Sequence, residues 1–349
     1  NTYHDGIALM KQLCDEDFDM VYTCSFGLMT QTWDVSRDYD GCKTAADGSP
    51  HNTYFMSTGG YLTNDNMVTG FSKIYQMRYL AGLVAGEELK SRRLKDTATG
   101  VYNHSDAPMC VGYIAAYPLP EVQRGINAFL LGCKEVYSDC LVRVAWTGVW
   151  HESELEREAA AFFWNVGKCQ LITQHSDTTS PQLYYAEKGG AGLGYNSDMR
   201  KIVGDSVLVS PIINWGPVFS HFIDNIKQDS WVAEAQIWPG VDEGAAKISR
   251  FSNRVPVHIQ EFVLAKKREL EASKGSDGIF CGDLKARWVY EKDETTGERL
   301  SGCGFQPSWK RLDTPERLRP NQFNDASGNP LGDSDIPGPT DCLGYQALL

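Results

Sequence analysis

Short apolar runs alternate along this chain with longer stretches of helical periodicity. Residues 19–25 form a compact apolar run that predicts a buried strand, closed by a turn at Phe26 and Gly27, where glycine would permit unusual dihedrals. Residues 71–89 repeat Ile74, Met77, Leu80 and Leu83, with Tyr79, at helical spacing. Residues 111–116 predict a strand, and Pro120 with Glu121 opens a helix carrying Val122, Ile126, Phe129 and Cys133 inward. Strands follow at 141–146, 170–173, 192–195 and 207–213. Helices are expected at 152–167, with Leu155, Ala159, Phe162 and Val166 inward, and at 218–226 and 257–270. Such alternation predicts parallel sheets covered by helices on both faces.

Each apolar run ends in a polar loop. Trp146-Thr-Gly-Val-Trp150 is followed by an acidic helix start. Ile172-Thr-Gln-His-Ser-Asp177, Gly194-Tyr-Asn-Ser-Asp-Met199 and Asn214-Trp-Gly-Pro217 repeat the arrangement. In open α/β sheets, ligands bind outside the carboxyl ends of the strands, so these loops form candidate rims of one pocket. Two regions depart from the alternation. Residues 92–108 are polar and read as an insertion between blocks, and residues 293–349 are rich in Gly, Pro, Asn and Asp and read as an irregular tail.

Composition narrows the function classes. The chain has 349 residues, long enough for two domains, with 42% apolar positions. Net charge is −12, from 45 acids and 33 bases, which argues against a nucleic-acid footprint. No apolar run approaches the roughly 20 residues of a membrane span. There are ten Cys without zinc-like spacing, which points to disulfides in an oxidising compartment. Cys24 and Cys169 are the expected core thiols, and Cys303 and Cys342 the expected bridged ones. Asn103-His-Ser is a glycosylation sequon consistent with secretion. No catalytic triad, phosphate loop or metal constellation is present, so no enzyme activity, cofactor or metal is expected. The spacing in Gly189-Gly-Ala-Gly-Leu-Gly lacks a following helix and does not mark a dinucleotide site.

Residues 58–67, 75–86 and 112–129, together with the strand-end loops above, resemble the basic membrane protein family. These are the purine-nucleoside-receptor-like solute-binding proteins of bacterial ABC importers, and the likeness runs from about residue 5 to about residue 285. The resemblance implies a type I periplasmic-binding fold, with two α/β lobes joined by three hinge crossings around a small organic ligand. Lobe one is expected at 1–110 with 214–238, lobe two at 111–213 with 239–292, and the tail at 293–349. Family members begin with strands that have no counterpart before the first helix here, at residues 4–14. A second polypeptide supplies them, or the sequence is incomplete. A homo-oligomer is a further expectation.

The resemblance also implies site residues. Trp150 would stack on a purine, and Trp146 lies at the inner end of the same strand. Phe26 would face ligand from lobe one. Asn196 and Asp198 would meet sugar hydroxyls, although Asn196 stands where the family often has Asp, and Asp198 would otherwise cap the next helix. Asp177 would either contact ligand or cap a helix near Ser180, with His175 beside it. Asn214 and Trp215 would face ligand at a hinge crossing. Lys285, near Asp283, matches a family element that reaches the pocket. The expected function is a secreted, non-enzymatic carrier of a nucleoside or purine. The chain's 14 Phe, 9 Trp and 16 Tyr leave open a carrier for a larger conjugated ligand such as a pigment. A structural or interaction protein that has lost its ligand is the third alternative.

Overall fold

A computed structural model describes residues 2–43, 48, 51–99 and 109–272. Asn103, Asp283, Lys285, Cys303, Cys342 and the tail lie outside the described residues. In chain order the elements are α1 (Thr2–Asp15), β1 (Met20–Thr23), a 3-10 turn at Phe26–Leu28, α2 (Met29–Asp38), β2 (Tyr54–Thr58), β3 (Met67–Gly70), α3 (Tyr75–Thr99), β4 (Cys110–Ala115) and α4 (Pro120–Val136). They continue with β5 (Leu141–Trp146), α5 (Ser153–Asn165), β6 (Leu171–His175), α6 (Ser180–Glu187), β7 (Ala191–Gly192), α7 (Arg200–Val203), β8 (Pro211–Ile213), α8 (Gly216–Lys227), β9 (Gln236–Ile237), β10 (Ala246–Ile248) and α9 (Val257–Ala272).

The chain divides into two compact units and passes between them three times, at Lys73/Ile74, Ile213/Asn214 and Ala245/Ala246. The expected crossings were at residues 110, 213 and 238. Helix α3 belongs to the second unit because it packs along α4.

The first unit is built on a parallel sheet in the order β1-β2-β3-β9. Its register explains how both faces are buried. Val21, Phe55 and Met67 stand side by side across three strands and face a core that includes Met10, Cys14, Met29 and Val35 of α1 and α2. The next register row, Tyr22, Met56 and Val68, points the other way, onto Val218 and Phe222 of α8. This is the strand period of two, applied to a sheet covered on both sides.

The second unit has a parallel sheet in the order β5-β4-β6-β7, with β8 and β10 as a separate antiparallel pair. On β4, Tyr113 meets Phe129 of α4 edge-on at 5.8 Å. Its neighbour Gly112 faces the other side, where a Cβ would fall 2.6 Å from the Phe163 ring of α5. Helices α3 and α4 approach so closely that a Cβ on Gly82 would lie 2.1 Å from the Phe129 carbonyl, and one on Gly132 2.1 Å from that of Tyr79.

Several local expectations are corrected. Helix α5 buries Glu156, Ala159, Ala160 and Phe163, whereas Val166 is 56% exposed. The inward face is therefore rotated by about one residue. Thr178 Oγ1 donates to the buried Glu156 carboxylate at 2.7 Å, and this bond makes the burial of Glu156 tolerable. Cys24 is a free, exposed thiol, and Cys169 is bridged to Cys110. Further bridges join Cys14 to Cys42 and Cys133 to Cys140. The positive φ near Phe26 belongs to Gly59, at 72°, rather than to Gly27.

Two outcomes test this packing. Gly82→Ala forces apart a helix pair in backbone contact, and is expected to cost about 1–3 kcal/mol in urea unfolding. Lys90→Ala, at an exposed position of α3, should stay within about 0.5 kcal/mol. Replacing both Cys110 and Cys169 by Ser opens a link of 59 residues, against 7 for Cys133 and Cys140. Loop-closure entropy predicts losses of roughly 4 and 2 kcal/mol respectively, and equal losses would remove the entropic account.

Candidate functional site

In the second unit the parallel register brings four carboxyl ends to one edge of the sheet. Ala115 stands opposite both Trp146 and His175, and Ile172 stands opposite Gly192. The ladder continues into the loops: Thr147 and Gly148 donate to Ala115 and Ala116 at 2.8 Å, and Asp177 donates to the Trp150 carbonyl at 2.8 Å. Gly148 takes φ 72°, a conformation that lets the chain turn tightly between Trp146 and Trp150. The loops after β4, β5 and β6 are thus pinned together by backbone bonds.

An aromatic group results. The half-buried Trp150 ring lies 5.5 Å from Tyr117 and 6.3 Å from His175, which in turn lies 5.0 Å from Tyr195. His175 is 1% exposed, and its Nε2 is 2.8 Å from Glu121 Oε2 at the start of α4. Burial depresses the His175 pKa and outweighs the attraction of Glu121. Burial alone would raise the Glu121 carboxyl, but His175, Arg78 and Arg124 together hold it below its ordinary value. A neutral imidazole beside an ionised carboxylate must carry its proton on Nε2, so Nε2–H donates to Glu121. Nδ1 is then a buried acceptor without a donor.

Arg78 of α3 lies beneath this group and is 1% exposed. Its Nη2 donates to Asn196 Oδ1 at 3.0 Å and its Nη1 to the Gln174 carbonyl at 3.5 Å. The guanidinium sits 4.7 Å from the Tyr195 ring centroid. Burial raises the Tyr113 hydroxyl to about 12, although Arg78 beside it pulls the other way.

The expected residues separate clearly. Trp150, Asp177 and Asn196 meet at this edge, with Asp198 in the same loop as Asn196. Trp146 ends β5 but is 3% exposed, within the core. Asp177 is exposed and does not cap α6; the Ser180 amide instead donates to Thr178 Oγ1 at 3.2 Å. Asp198 does not cap α7, and its Oδ1 is buried without a partner. In the first unit, Phe26 opens the 3-10 turn after β1, 6.4 Å from Tyr61. Asn214 donates its side-chain amide to the Gly244 carbonyl at 2.8 Å. Trp215 stacks on Phe219 at 6.2 Å and meets Phe71 edge-on at 5.7 Å. No group of three or more metal-ligating side chains occurs among the described residues, and no described helix is long and apolar enough to cross a membrane.

Sequence reasoning missed Arg78, Glu121 and Tyr117. A signal existed for the first: Arg78 interrupts the apolar face between Met77 and Tyr79. A charge there requires a buried partner.

Comparison with known proteins agrees with this architecture. The Bmp family, described as ABC transporter substrate-binding protein PnrA-like, matches residues 1–282. A Brucella abortus relative named purine-binding protein is 28% identical over 305 residues, which is 86% of this chain and 78% of the relative. A Haloferax volcanii relative named putative ABC transporter glucose-binding protein is 28% identical over 266 residues, 76% of this chain and 60% of the relative. An ABC transporter solute-binding protein structure from Aeropyrum pernix superposes with a TM-score of 0.60 at 11% identity, covering 78% of this chain and 80% of that one, a likeness of fold.

The buried histidine has a measurable consequence. The unfolded state, with an ordinary His pKa near 6.5, binds more protons than the folded state once the pH falls below that value. His175 therefore supports stability above pH 6.5, and that support is lost as the pH falls through the interval down to its depressed folded pKa. Melting temperature should drop on acidification from pH 7.5 to 5.5, and the drop should be shallower in His175→Gln. An identical slope in the variant would assign the effect to other groups.

Proposed function

The chain belongs to the Bmp family of PnrA-like ABC transporter substrate-binding proteins, and from that membership we propose that it captures a purine-like ligand at the strand-end edge of its second unit. The family is one of substrate-binding proteins rather than enzymes. The observation that carries the proposal is the half-buried Trp150 ring, set beside Tyr117 and backbone-linked to the Asp177 loop. A flat heterocycle stacks on such a ring, and loop polar groups select its edge. Phe26, Asn214 and Trp215 are proposed, separately, as ligand-facing residues of the first unit. The three disulfides support secretion into an oxidising compartment.

A sugar is the second candidate, favoured by the name of the Haloferax relative and by the affinity of aromatic faces for sugar rings. Calorimetric titration with adenine, guanine, hypoxanthine, their nucleosides and glucose separates the two. The expected result is heat from purines and none from glucose. Base–aromatic stacking contributes about 1–3 kcal/mol, so Trp150→Ala should weaken purine binding roughly ten- to hundredfold. Glucose binding without purine binding would transfer the assignment to sugars, and unchanged affinity in the variant would place the ligand away from Trp150.

A further inference from the structure

We propose that Glu156 is a positioning residue for the ligand edge: its carboxylate ties the loop that carries Trp150 to the loop that carries Asp177, an inference that rests on the binding site proposed at that edge. The residue lies in the first turn of α5 and is 0% exposed. An acid at that position is favoured by the helix dipole and ordinarily stands in solvent. Here it is buried, and its two oxygens serve two different segments. Oε1 accepts from the Glu152 amide at 3.4 Å, where the Trp150 loop enters α5. Oε2 accepts from Thr178 Oγ1 at 2.7 Å, next to Asp177 in the loop after β6.

The chain of bonds extends on both sides. Thr178 Oγ1 also accepts from the Ser180 amide at 3.2 Å, which brings the start of α6 into the same chain. Gln174 Nε2 donates to the Ser176 carbonyl at 2.8 Å and to that of Thr178, holding the loop backbone from the strand side. The Asp177 amide donates to the Trp150 carbonyl at 2.8 Å. Two loops thus meet through one direct backbone bond and one buried carboxylate.

The charge on Glu156 is what makes the tie strong. Its partners donate to it, and an ionised carboxyl is the form that only accepts. Such charge-assisted bonds are roughly twice as strong as neutral ones. Around the carboxylate stand the Ser176 and Thr178 hydroxyls and the backbone of Glu152 and Thr178, none of them charged. Burial raises its pKa, and these groups pull it back. Helix α6 and strand β4, which pack on α5, carry one charged side chain, Glu187, and it pairs with Arg157 at the surface. The Glu152 carboxylate accepts from the Glu154 amide instead. His151 and Asp177 of the two loops are exposed. Protonation would place an O–H among donors, so the tie is present above the raised pKa and is lost as the pH falls through it.

The test is calorimetric titration of wild type and Glu156→Gln with adenine, guanine, hypoxanthine and glucose at pH 7.5 and about pH 5, joined to hydrogen–deuterium exchange of both proteins without ligand. At pH 7.5 the variant should bind roughly tenfold more weakly, the scale of one lost charge-assisted bond. Wild-type affinity should fall on acidification, and the fall should be shallower in Glu156→Gln. Asp177 also titrates on the acid side, because burial raises its carboxyl against the pull of His151, so the difference between the two proteins isolates Glu156. Exchange should quicken at residues 150–152 and 176–180 and stay unchanged in β4 and α4. Thr178→Val removes the hydroxyl at the other end of the tie and should reproduce the loosening; it carries the test if Glu156→Gln does not fold. Unchanged exchange in the two loops overturns the inference. Exchange quickened evenly across the unit, or loosened loops with affinity and its pH slope unchanged, marks a purely structural role and overturns it too. If wild type binds none of the four probes, the ligand assignment falls, and exchange alone decides the tie between the loops.

Discussion

A permanently charged guanidinium buried to 1% exposure is the constraint around which the second unit is arranged. Arg78 cannot shed its proton, so the fold must bring acceptors and negative charge to it. It does so from three separate elements: the Gln174 carbonyl at the end of β6, Asn196 after β7, and the Glu121 carboxylate at the start of α4. Glu121 in turn accepts the hydrogen bond from His175 Nε2 and fixes its tautomer. The close α3–α4 pairing through Gly82 and Gly132 brings Arg78 and Glu121 within electrostatic reach. Removing Glu121 would leave the buried Arg78 without its counter-charge.

A second constraint acts on both units alike. A parallel sheet exposes no face to solvent here, because alternate residues feed two helical layers. In the first unit these are the rows through Phe55 and Met56, and in the second the Tyr113 and Gly112 sides of β4. With both faces closed, chemistry concentrates at the carboxyl ends of the strands, where loops can carry polar and aromatic groups without breaking the ladder. Trp150, Asp177 and Asn196 share one edge for this reason, although 46 residues separate the first from the last. The disulfides sit away from this edge: Cys110 opens β4 and Cys133–Cys140 closes the turn after α4. They stiffen the opposite side of the unit.

Legibility in the sequence followed element length and periodicity. Strand β5 was readable to the residue, and α4 was readable because four apolar positions recur at helical spacing and Pro120 marks its start. Strands β2 and β3 were not, since Tyr54-Phe-Met-Ser-Thr58 and Met67-Val-Thr-Gly70 are short and lack alternation when both faces are buried. The inward face of α5 was misjudged because a glutamate, Glu156, takes a core position that only a partner on another loop, Thr178, makes affordable. Cys169 was misassigned because strand-like surroundings do not reveal whether a second sulfur lies within bonding distance, whereas Cys24 is the free thiol expected but lies exposed rather than in the core.

The sequence by itself determined the alternating α/β architecture, the family and the position of the polar strand-end loops, because these depend on local periodicity and on motifs contiguous in the chain. Only the tertiary structure decided which side of each residue is presented. It turned Trp146 into the core and left Trp150 at the rim, buried Asp198 Oδ1, and set Arg78 against Asn196 across 118 residues of chain. Such polarities depend on distant groups meeting in a water-poor interior, where an unpaired donor or charge is costly, and no local pattern in a sequence records that meeting.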